Sequence, residues 1–88
     1  MTFRKGGAGK RRDANEADII DALESVGCRV WQLSGRGHPD LLAYRAYRWF
    51  PMEVKSAKGK RTDAQRDVPW PIVRDVDQAL RVINGLEV

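Results

Sequence analysis

One cysteine, one histidine and the lack of any long apolar run set the first limits on this 88-residue chain. Cys28 has no second thiol to pair with, so an internal disulfide is excluded and a reducing, cytoplasmic setting is expected. His38 stands alone, which leaves histidine-based zinc sites without their ligands. No apolar stretch nears the roughly 20 residues of a bilayer span, and the first residues show no h-region of a signal peptide. The chain is also too short for two independent cores, yet its 42% hydrophobic content can fill one. No internal repeat is present. Residues 1–12 lack acids altogether, and Asp13 to Gly27 lack bases.

The charges that are present are sorted. The net charge is +4, and five cations, Arg4, Lys5, Lys10, Arg11 and Arg12, share residues 1–12 with Gly6, Gly7 and Gly9. This reads as a flexible basic arm preceding one domain over 13–88. Lys58, Lys60 and Arg61 form a second cluster after Lys55. Basic arms of this kind bind nucleic-acid phosphates, driven by counterion release. Asp13, Glu16, Asp18, Asp21 and Glu24 crowd the segment between.

That acidic segment predicts a helix over 13–27, started by Asp13 or Asn15 and stopped by Gly27. Ile19, Ile20, Leu23 and Val26 share its apolar face, and Glu16 falls on the same face. Strands are expected over 28–33, 40–44 and 48–55, with Ser34 to Pro39 as a loop and a turn at 45–47. Alternation puts Trp49, Pro51, Glu53 and Lys55 on one side of the third strand, the one expected to be central. Pro51 suits an edge or a bulge. Thr62-Asp63-Ala64-Gln65 has the form of a capping box, opening a helix that Pro69 must stop. A short strand at 70–73 and a helix from Asp75 to Asn84-Gly85 complete an α-β-β-β-α-β-α order, a mixed α/β sandwich. Trp31, Trp49 and Trp70 read as core or rim packing ahead of base-stacking platforms, and Cys28 as a buried small hydrophobe.

Glu16, Asp40 and Glu53 are acids where the local pattern favours none, or beside a sharp loop. Carboxylates near a core are costly unless paired or bound to a cation, and such hard oxygen donors suit Mg²⁺ or Mn²⁺. Lys55 projects from the Glu53 face and can orient a water or offset charge on a phosphate. The Val54 carbonyl is a further candidate ligand.

His38-Pro39-Asp40-Leu41-Leu42, followed by Met52-Glu53-Val54-Lys55, resembles the signature of the PD-(D/E)xK nucleases. With Glu16 upstream and Thr62-x-x-Gln65 downstream, the pattern is similar to the VRR-NUC branch, the virus-type replication and repair nucleases, over residues 13–80. The resemblance implies a restriction-endonuclease-like mixed sheet flanked by helices and an endonuclease acting on branched or duplex DNA with Mg²⁺ or Mn²⁺. It also implies a homodimer like the Holliday-junction resolvases, working in the host cytoplasm if the chain is phage-encoded. Asp40 and Glu53 match the metal ligands, Lys55 the catalytic lysine, Glu16 the helix acid that completes the site and Gln65 the supporting glutamine. The stretch 65–70 is shorter than the second helix usual in that branch. The rival reading is a non-catalytic DNA-binding or assembly module that keeps the fold.

Overall fold

A computed structural model describes residues 14–35, 37–56 and 68–88. The expected arm, the Thr62-x-x-Gln65 helix start and the cations Lys58, Lys60 and Arg61 lie outside these residues.

The described elements run α1 (Ala14–Ser25), β1 (Arg29–Gln32), β2 (Leu41–Arg45), β3 (Arg48–Val54), β4 (Ile72–Val73) and α2 (Val76–Ile83). The four strands form one mixed sheet in the order β1-β2-β3-β4. β1, β2 and β3 make an antiparallel meander, and β4 joins β3 in parallel, with Glu53 level with Ile72 and Val54 level with Val73. β3 is therefore an inner strand, as its sequence position suggested.

The alternation of the strands decides what is buried. Val30, Leu41, Ala43, Met52, Val54 and Val73 meet Ile19, Ile20 and Leu23 of α1 and Ala79 and Ile83 of α2 in a single core, joined by Cys28. Both helices thus cover the same sheet face. Trp31, Leu42, Tyr44, Trp49, Pro51 and Glu53 alternate onto the other.

The two helices end by the same device. At α1, Cys28 N–H donates to Leu23 C=O and Gly27 N–H to Glu24 C=O, with Gly27 at φ +96°. At α2, Leu86 N–H donates to Arg81 C=O and Gly85 N–H to Val82 C=O, with Gly85 at φ +74°. Each is a Schellman cap, in which a glycine takes the left-handed conformation to satisfy carbonyls left open by the last turn. The cap corrects one expectation: Val26 sits on the reversing turn, past the last helical residue, and is 41% exposed rather than packed with Ile19 and Leu23. The start of α2 follows its sequence, with Asp75 accepting from Gln78 N–H while Gln78 Oε1 accepts from Arg74 N–H.

The β2–β3 hairpin turns on Ala46 and Tyr47, both at positive φ (+53° and +66°). Two-residue turns that match strand twist require this, and Asn-Gly is the usual solution. Ala and Tyr adopt the conformation at a cost of about 1–2 kcal/mol each. Neither carries the local hydrogen bonding of Asn, so nothing in their chemistry announces a turn this tight.

Pro51 occupies neither an edge strand nor a bulge. Glu53 and Lys55 send their N–H groups toward the β4 side, to Pro71 and Val73. The same parity points the Pro51 nitrogen to that side, level with a stretch before β4 begins. Its missing donor costs no ladder bond.

Candidate functional site

Each of the three singled-out acids is held by a different partner. Asp40 immediately precedes β2. Leu41 pairs with Met52 and Leu33 N–H donates to Asp40 C=O at 2.9 Å, so the register continued by one residue sets Asp40 opposite Glu53. β2 can run no further because Pro39 intervenes, and Val54 N–H on β3 is left facing the gap. The Asp40 carboxylate fills it, accepting from Val54 N–H through Oδ2 at 2.9 Å.

Glu53 sits on the helix-free face of β3. Its Oε1 accepts from the Trp70 indole N–H at 2.9 Å. Trp70 stands between Pro69 and Pro71, which fix the backbone entering β4. Asp40 Oδ1 and Glu53 Oε2 are left without a hydrogen bond from the described residues. Two residues level across β2 and β3, each with its carboxylate anchored through one oxygen, thus stand at the point where β2 stops.

Glu16 is the one buried charged residue among those described, at 3% exposure. Its Oε2 accepts from Gln32 Nε2 at 2.9 Å. Gln32 alternates with Val30 and Cys28 on the core face, so Glu16 approaches the sheet from the side of the helices, opposite to Glu53. Among the described residues no three His, Cys, Asp or Glu side chains are grouped closely enough to hold an ion. The donor set still fits Mg²⁺ chemically. That cation keeps several waters and takes only one or two carboxylates, with substrate phosphates supplying further oxygens.

Lys55 is fixed through its backbone. Its N–H donates to Val73 C=O at 3.0 Å, and its C=O accepts from Asn15 Nδ2 at 2.9 Å. The same Asn15 amide donates to Arg74 C=O at 2.7 Å. Arg74 also reaches Ser56 C=O through Nη1. α1, the end of β3 and the end of β4 are therefore tied at one point, and the Lys55 side chain leaves from a rigid base. Asn15 Oδ1 is buried there without a hydrogen-bond partner among the described residues. Strand geometry turns the Val54 carbonyl to the same side as its N–H, where β2 has ended.

Asn15, Gln32 and Trp70 were not anticipated as site residues. Gln32 carried a signal, being a polar side chain on an otherwise apolar strand face. Trp70 carried one in its flanking prolines. Asn15 matched a helix cap, and instead lies inside α1. Gln65, Lys58, Lys60, Arg61, Arg4, Lys5, Lys10, Arg11 and Arg12 lie outside the described residues. A groove of about 570 Å³ beside β4 is lined by Trp70, Ile72, Arg74 and Gln78, among others, and includes neither Asp40 nor Glu53. No helix among the described residues is long and apolar enough to cross a membrane. The chain matches no family model, no curated protein and no solved structure.

Proposed function

We propose that this chain is a divalent-metal-dependent DNA endonuclease of the PD-(D/E)xK type, with the pattern of the VRR-NUC branch. The observation that carries this reading is the pairing of Asp40 and Glu53 where β2 ends, with Lys55 one step further along the Glu53 face. A β-meander with β4 parallel to its third strand, covered on one face by both described helices, supports the restriction-endonuclease-like architecture.

In this reading Asp40 and Glu53 would hold Mg²⁺ or Mn²⁺, the Val54 carbonyl would add a ligand, and Glu16, on the helix side of the sheet, would contribute only through water. The ion, when bound, supplies a water of lowered pKa and polarises a phosphoryl oxygen. The remaining work belongs to positioned charge. The Val54 N–H holds Asp40 and the Trp70 indole holds Glu53, so neither carboxylate must reorganise when substrate arrives. Lys55 offers its ammonium to the attacking water or to charge building on the scissile phosphate. Gln65 buttresses the site, and Lys58, Lys60, Arg61 and the basic arm grip the backbone without reading sequence. A domain this small covers little DNA, so a symmetric dimer acting on branched substrates completes the reading.

The test is cleavage of end-labelled duplex, flap and four-way substrates with Mg²⁺ or Mn²⁺, running Glu53→Ala and Lys55→Ala beside the parent. Metal-dependent products from the parent alone are expected. Identical products from all three proteins would mark a contaminating activity and remove the enzyme reading. DNA binding that survives without any cleavage would leave a non-catalytic module.

A further inference from the structure

The sheet face that carries Glu53 also carries an aromatic platform. The Trp49 ring lies 4.6 Å from Tyr44 and 5.6 Å from Trp31, centroid to centroid, with tilted planes. Three adjacent strands thus contribute one contiguous patch. Trp49 is 56% exposed, and Tyr47 at the hairpin tip is 91% exposed, in the left-handed conformation described above. At that exposure, packing against the described residues does not require a bulky aromatic there.

A cation borders this patch. Arg29 pairs with Tyr44 in the β1–β2 register, shares its face and is exposed, whereas Arg45 and Arg48 alternate onto the helix-covered face, Arg45 donating to Val26 C=O. Exposed ring faces beside a guanidinium group are what proteins use on single-stranded nucleic acid, rings for bases and the cation for phosphate.

Distance links the platform to the acids. Trp49 and Glu53 lie on one face four residues apart, about 13 Å at about 3.3 Å per residue.

We infer that Trp49, backed by Tyr44 and Trp31, stacks an unpaired base of a DNA strand whose phosphate lies at Asp40 and Glu53. The position of the cut rests on the endonuclease reading; the stacking rests on the rings and Arg29 alone. Bases inside a duplex show only their edges, so the platform selects flaps, junctions and single strands over plain duplex.

The experiment uses the full chain in EDTA, where metal-dependent cleavage is absent, with fluorescein-labelled dT20 and a 20-base-pair duplex followed by anisotropy. The parent should bind dT20 with quenching of tryptophan emission. Trp49→Ala should weaken dT20 binding about tenfold or more, with less than a twofold change on duplex. Trp49→Phe should restore most of the loss, and thermal melts of both variants confirm folding. No dT20 binding by the parent overturns the inference. So does equal loss on both DNAs, or a Trp49→Ala change that alters only sedimentation, which would make the face a copy–copy contact. Because no cleavage is read, a failed endonuclease reading leaves this result interpretable.

Discussion

The Asp40 carboxylate stands where the Pro39 carbonyl would stand if β2 continued opposite Val54. In the proposed endonuclease a structural and a chemical role would therefore fall on one side chain, and two substitutions separate them. Asp40→Asn keeps an oxygen for the Val54 N–H, so stability should change by only about 0.5 kcal/mol while cleavage falls about a hundredfold or more. Asp40→Ala leaves that N–H unpaired and should cost about 1–3 kcal/mol as well. Urea denaturation beside the cleavage assay distinguishes the two losses. Cys28 makes a different residue-scale prediction. Burial pushes its thiol above the ordinary value of 9.0, with the nearby Arg45 charge partly offsetting the rise. The folded state then keeps its proton where the unfolded chain has lost it, so the unfolded chain binds fewer protons and stability falls as pH rises above about 9. A Cys28→Ala variant should show a flatter alkaline limb in thermal melts, and the native thiol should react with iodoacetamide only on unfolding. Residue-level chemistry was legible where it was local. Glu16 on the inward helix face and Asp40 beside a proline-ended loop could be read from spacing. Asn15 could not, because its two bonds reach 40 and 59 residues along the chain and no nearby pattern encodes them.

Among the elements, the β2–β3 hairpin is the one whose local sequence opposes its conformation. Replacing Ala46-Tyr47 with Asn-Gly supplies residues that adopt positive φ readily. The double variant should raise Tm by about 4 °C or more, since about 1 kcal/mol shifts a domain of this size by about 4–8 °C. An unchanged or lower Tm would mean that Tyr47 contributes packing its exposure does not reveal. The remaining described elements follow their sequences to within a residue or two. Helix starts and stops were signalled by Asp75, Gly27 and Gly85, and strand faces by alternation. Val26 was misplaced because helical periodicity does not announce the turn at which the chain leaves the helix. The side on which α1 and α2 both settle was not legible either, since it depends on chirality and packing among distant elements.

At the scale of the whole molecule, charge is the controlling quantity. Five cations in residues 1–12 and Arg29 beside the aromatic face predict binding whose affinity falls steeply with salt. A chain lacking residues 1–12 should bind duplex DNA with a log K against log[salt] slope shallower by about 4 to 5, because each phosphate neutralised by a cation adds about 0.9 to it. Titrations at several KCl concentrations measure this directly. A slope that does not change would remove the arm from the DNA interface while leaving the acid pair untouched. The architecture that brings Asp40 and Glu53 together was readable as a mixed α/β order, because each strand is short, patterned and bounded by turn residues. The parallel placement of β4 was not, because two residues of ladder carry too little pattern to state a direction.

Pro51 has a consequence for folding fidelity. β4 is only two residues long, and so short a strand could slide along β3 with little loss of hydrogen bonding. Sliding toward the hairpin would demand an N–H at Pro51, where none exists. Errors in that direction are thereby blocked, and Ile72 is kept level with Glu53. An apparent flaw in the inner strand acts as a stop that keeps Trp70 within reach of the Glu53 carboxylate.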